Sequence, residues 1–89
     1  MKELLIQAIN TINEELHIAA LEDIDDDTEI FTQLDSVAVL DLILEIEDLL
    51  QEKYGRYIQI ADDKVMDASQ TSFKTFKTLL LHVEDKVNG

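Results

Sequence analysis

Eighty-nine residues, 46% of them hydrophobic, are enough for one domain around one small core and leave no room for a deep catalytic cleft. The lack of cysteine excludes disulfides, thiolate metal sites and a protein-borne nucleophilic thiol; no proline and only Gly55 and Gly89 favour helices joined by irregular loops over a many-turned β fold. The net charge of −13 lies in residues 1–54, where fifteen acids face Lys2 and Lys53, whereas residues 55–89 hold five acids and five bases; this argues against nucleic acid and for partners with basic patches.

Leu5, Ile9, Ile12 and Leu16 recur at helical spacing and predict a first amphipathic helix over Lys2 to Leu16. Gln7, Asn10 and Asn13 interrupt the apolar character of this stretch before it reaches signal-peptide or membrane-spanning length, so a cytoplasmic, monomeric protein without a membrane span is the expectation. From His17 to Leu34 the period is lost and acids crowd in, with Leu21, Ile24, Ile30 and Phe31 as apolar anchors for a long loop. A second helix runs from Ser36 to about Lys53. A short third helical turn is expected at Asp62 to Asp67, and a last helix from about Ser72 to Val87 with Phe73, Phe76, Leu80, Val83 and Val87 in a stripe. With no linker, repeat or low-complexity run, residues 1–89 read as a single all-α domain, a four-helix bundle of three main helices and one short one.

The second helix has two faces. At about 100° per residue, Val39, Leu42, Ile43, Ile46, Leu49 and Leu50 share a broad core sector. A second sector holds Ser36, Val37, Leu40, Asp41, Leu44, Glu47, Asp48 and Gln51, in which Val37, Leu40 and Leu44 form a narrow apolar strip bordered by carboxylates. Such a strip resembles a helix-in-groove docking surface. The alternative is that the three residues are also core, covered by the long loop.

At the head of this helix, Ser36 places a hydroxyl where unpaired backbone N–H groups and the helix dipole favour an attached phosphate. Capping is the plainer role, and Asp35 serves it equally well; Val39 leaves no reciprocal capping box for a serine cap. Asp23, Asp25, Asp27 and Glu29 alternate as in a calcium loop, with Ile30 at the apolar eighth place. Thr28 and Leu34 nevertheless stand where glycine and a bidentate glutamate belong, so the cluster reads first as a solvated, self-repelling face. His17 and His82 are too isolated for a catalytic triad.

The run from Phe31 through Leu34-Asp35-Ser36-Val37 to Glu47-Asp48 resembles the Asp-Ser-Leu phosphopantetheine-attachment motif of acyl carrier proteins and the helix that follows it. The likeness extends to the order of elements and covers essentially the whole chain. It implies that Ser36 accepts 4'-phosphopantetheine from coenzyme A through a phosphopantetheinyl transferase, with Asp35 as the preceding acid. It further implies that Asp41, Glu47 and Asp48, beside Val37, Leu40 and Leu44, meet basic patches on a loading ligase and on downstream synthase enzymes. The protein would then be a substrate of enzymes, not an enzyme, carrying an acyl or aminoacyl group as a thioester. Val37 replaces the common leucine, Thr32, Gln33 and Leu34 stand where a glycine is often found, and Lys53 to Ile60 lengthens the exit from the helix, features of a specialised member. The segment around Ile30 and Phe31 is somewhat like D-alanyl carriers. An acidic, unmodified partner-binding domain of the same fold is the other reading.

Overall fold

Burial of Leu5, Ala8, Ile9 and Asn13 along one face defines the first helix, α1 (Lys2–Leu16), in a computed structural model that describes residues 1–89. The α1 stripe differs from expectation at its end. Asn13 takes the inward place because its amide donates to the Ile18 carbonyl at 3.1 Å and accepts from the Ile18 N–H at 2.8 Å, which satisfies a buried polar side chain and folds the chain out of the helix. Leu16 turns outward instead, 40% exposed. His17 closes α1 in the left-handed conformation (φ 55°, ψ 42°), its N–H donating to the Asn13 carbonyl.

The acidic loop is held at both its apolar and its backbone groups. Leu21 and Ile30 are fully buried, Ile24 and Phe31 are half-buried, and two short 3-10 turns occupy Ala19–Leu21 and Phe31–Gln33. Ile30 and Phe31 donate their N–H groups to the carbonyls of Lys74 and Phe73, while Phe76 and Lys77 donate to those of Thr28 and Asp26. The loop therefore lies against the start of the last helix. This cross-tie fixes where the chain re-enters helix at residue 36.

The second helix, α2 (Ser36–Tyr54), buries Val39, Leu42, Ile43, Ile46 and Leu50 and ends at Gly55, whose φ of 69° is open to glycine without the cost a side chain would meet. It runs antiparallel to α1: the residues from Thr11 to Leu16 lie beside those from Ala38 to Asp48, and Met1, Leu4 and Gln7 lie beside Leu49 and Lys53. After α2, Ile58, Ile60, Val65 and Phe73 dip into the core without forming a helix.

The expected short third helix is absent, and the fold is all-α with three helices rather than four. Between Asp62 and Asp67 the backbone makes two separate i to i+3 turns, closed by Val65 to Asp62 and Asp67 to Lys64, and the reason lies in the aspartates. Asp62 accepts from the N–H of Lys64 at 2.9 Å and Asp67 from the N–H and hydroxyl of Ser69 at 2.9 and 2.8 Å, local bonds that compete with helix. These Ser69 donors hold the Asp67 carboxyl below its usual range.

The last helix, α3 (Phe76–Asn88), begins four residues later than the stripe implied. Thr75 sets its start through a capping box: its hydroxyl accepts from the Thr78 N–H at 3.2 Å, and the Thr78 hydroxyl accepts from the Thr75 N–H at 3.0 Å. Phe73, Phe76, Leu79 and Val83 are fully buried, each worth about 1.5–3 kcal/mol of transfer free energy. Leu80 and Val87 pack half-buried at the edge of the single core cluster. No helix is long and apolar enough to cross a membrane.

Candidate functional site

Asp35 and Ser36 divide two roles at the head of α2. Asp35 is the N-cap: its backbone is extended (φ −81°, ψ 177°) and its carboxylate accepts from the Ala38 N–H at 2.8 Å. Ser36 is the first helical residue. Its side chain is exposed and its hydroxyl enters no hydrogen bond within the chain, because the carboxylate before it already does the capping. The N–H groups of Ser36 and Val37, in the first turn, face away from the helix without a backbone partner, a local positive pole suited to a phosphate.

Along the helix from Ser36, Val37, Leu40 and Leu44 are 64%, 52% and 60% exposed. The long loop does not cover them. Three large apolar side chains at i, i+3 and i+7 in water form an unpartnered strip on a well-buried helix, and exposed Asp41 and Asp48 flank it.

Glu47 departs from this surface. It is 6% exposed and faces inward, where Oε1 accepts from the Tyr57 hydroxyl at 3.0 Å and Oε2 from the Ile60 N–H at 3.0 Å. The extended segment after Gly55 folds back over this edge of α2, so a residue expected among the docking acids is instead a structural acceptor. Its carboxylate, chiefly through the hydrogen bond, holds the Tyr57 phenol above its usual value, with desolvation and the negative charge adding to the effect. His82 completes the clasp from α3, with Nε2 donating to the Ile60 carbonyl at 2.7 Å. His17 is exposed at the end of α1.

The sequence gives little warning of a second feature, a groove of about 290 Å³ between α1 and α2 that begins one turn below Ser36. Ile12, Leu16, Ala38 and Leu44 supply its apolar lining. Glu15, Asp41, Glu45 and Asp48 supply its charge, with no basic side chain among them. Leu16 and Glu15 reach this seam from the last turn of α1, beside the point where Asn13 bonds to Ile18 and the chain leaves the helix, although apolar spacing alone places Leu16 with the core.

In the acidic loop, Asp25 accepts from the Asp27 N–H at 2.9 Å and the Thr28 hydroxyl at 3.2 Å, an Asx-type turn. No three histidine, aspartate or glutamate side chains in the chain converge as a metal site would require. Comparison of the chain with models of protein families, with curated proteins and with solved structures finds no match.

Proposed function

We propose that this chain is a carrier: Ser36 receives a covalently attached tether, and the protein presents what the tether holds to a succession of enzymes. More particularly, it reads as an acyl carrier protein, a monomeric cytoplasmic substrate of phosphopantetheinyl transferase rather than an enzyme. The observation that carries this reading is the free, exposed Ser36 hydroxyl on the first turn of α2, with Asp35 taking the cap that a serine would otherwise serve.

The residues fit the group. An Oγ-linked phosphate at Ser36 would sit beyond the helix N-terminus beside the Ser36 and Val37 N–H groups, and a tether leaving it would point into solvent. In the transfer, the Ser36 oxygen attacks the phosphorus of coenzyme A that bears pantetheine. A new O–P bond forms, the diphosphate P–O bond breaks, and 3',5'-adenosine bisphosphate leaves. The serine proton passes to a base on the transferase, whose Mg²⁺ offsets the charge on the diphosphate. Once attached, 4'-phosphopantetheine supplies the thiol that this cysteine-free chain lacks, on which an acyl or aminoacyl group is held as a thioester.

Val37, Leu40 and Leu44, with Asp41 and Asp48, offer the transferase, the loading ligase and downstream synthases an apolar strip in an acidic frame. The same strip also favours a second reading, an unmodified partner-binding domain. Labelling separates the two: a broad-specificity transferase supplied with a fluorescent coenzyme A conjugate should label the wild type and leave Ser36→Ala dark. Equal labelling of both, or of neither, would remove the carrier reading.

A further inference from the structure

We propose that the groove between α1 and α2 is a docking site for a cationic amphipathic helix of a partner protein, so that α1 as well as α2 takes part in recognition. Two observations set the chemistry. Leu16 and Leu44 are 40% and 60% exposed at the groove, although Leu16 belongs to the apolar row of α1. Glu15, Asp41, Glu45 and Asp48 line the same opening without a single base, so an apolar side chain entering between Leu16 and Leu44 would carry Lys or Arg neighbours onto four carboxylates.

Other occupants fit less well. A second copy of this chain would bring another charge of −13 against the acids, and a fatty carboxylate would meet like charge at the rim. Towards the other end of the α1–α2 seam, Lys53 offsets part of the charge of Glu3 and Glu52, whereas the half nearer Ser36 has four carboxylates and no base. That the partner is a transferase, ligase or synthase rests on the carrier reading, whereas the groove's preference for a cationic amphipathic helix does not.

The test is a titration of full-length ¹⁵N-labelled Ser36→Ala protein with a synthetic helical peptide of leucine and lysine in heptad spacing. A second peptide of the same composition is scrambled so that it has no apolar face. The expected result is saturable binding, with amide shifts centred on Thr11 to Leu16 and Ala38 to Asp48. Leu16→Ser and Glu45→Lys should each weaken binding at least tenfold, and Leu81→Ser, an exposed apolar site on α3, should leave it unchanged. Equal binding of the scrambled peptide, shifts centred on α3, no binding, or concentration-dependent shifts at Leu16 without peptide would each overturn the proposal. Because Ser36 is absent from this protein, binding here with no modification of the wild type would sink the carrier reading alone.

Discussion

The carboxylate of Glu47 accepts from the phenol of Tyr57 at 3.0 Å across ten residues, and its other oxygen accepts from the buried N–H of Ile60. Removing the carboxylate leaves that N–H without a partner, a loss of about 1–3 kcal/mol. Glu47→Ala should therefore lower the thermal midpoint by roughly 4–8 °C per kcal/mol lost for a domain of this size. Glu47→Gln, which keeps an acceptor, should lose less. Thermal denaturation followed by circular dichroism checks the order; equal midpoints for wild type and Glu47→Ala would contradict the clasp.

The same contact gives an alkaline signature. The Tyr57 phenol titrates above its unfolded value, which is near 10, so the folded state holds this proton more tightly. Its contribution to stability is complete below about pH 10 and is lost as pH rises through the folded-state value. Tyr57→Phe should flatten this part of the alkaline limb of the stability curve, measured by denaturant unfolding from pH 8 upward. A limb as steep in the variant as in the wild type would assign the alkaline loss to other groups.

Capping by Asp35 is expected to act on both stability and modification. Asp35→Ala should cost about 1 kcal/mol, and it should slow transfer to Ser36 because the serine hydroxyl becomes the available cap. Asp35→Asn should keep the cap and most of the stability. Intact-mass time courses with a transferase provide the measurement; wild-type transfer rates in Asp35→Ala would show that the cap does not position the serine.

The exposed face of α2 separates recognition from folding. Asp41→Lys, Asp48→Lys and Leu40→Ser should each weaken association with the transferase while leaving helicity and midpoint near wild type, because all three side chains are exposed. Glu47→Lys should lose stability first. Calorimetric titration beside circular dichroism distinguishes the two patterns, and unweakened binding in all three surface variants would contradict the docking assignment.

Local periodicity carried α1, α2 and the core faces of both, since Leu5, Ile9, Val39, Leu42, Ile43, Ile46 and Leu50 are buried where their spacing placed them. The same spacing put Ser36 at the head of α2 and Val37, Leu40 and Leu44 outside its core face. Periodicity cannot report what packs over an edge. Glu47 lies beside Leu40 and Ile43 on the wheel, and only the non-local return of Tyr57 to Ile60 turns it from a surface acid into a buried acceptor. Polar side chains bonding to nearby backbone account for most of the remaining differences: Asp62 and Asp67 keep residues 62–67 out of helix, Thr75 with Thr78 delays α3, and Asn13 bonds to Ile18 where α1 ends. Those signals are in the sequence as capping and turn residues, but apolar spacing alone does not rank them.

The most direct measurement is the intact mass of the purified protein after incubation with coenzyme A, Mg²⁺ and a broad-specificity phosphopantetheinyl transferase, followed by peptide mapping. A gain of one phosphopantetheine located on Ser36, absent in Ser36→Ala, is the predicted result. An unchanged mass in a well-folded wild type, or the same gain in Ser36→Ala, would contradict the assignment of Ser36 as the attachment point.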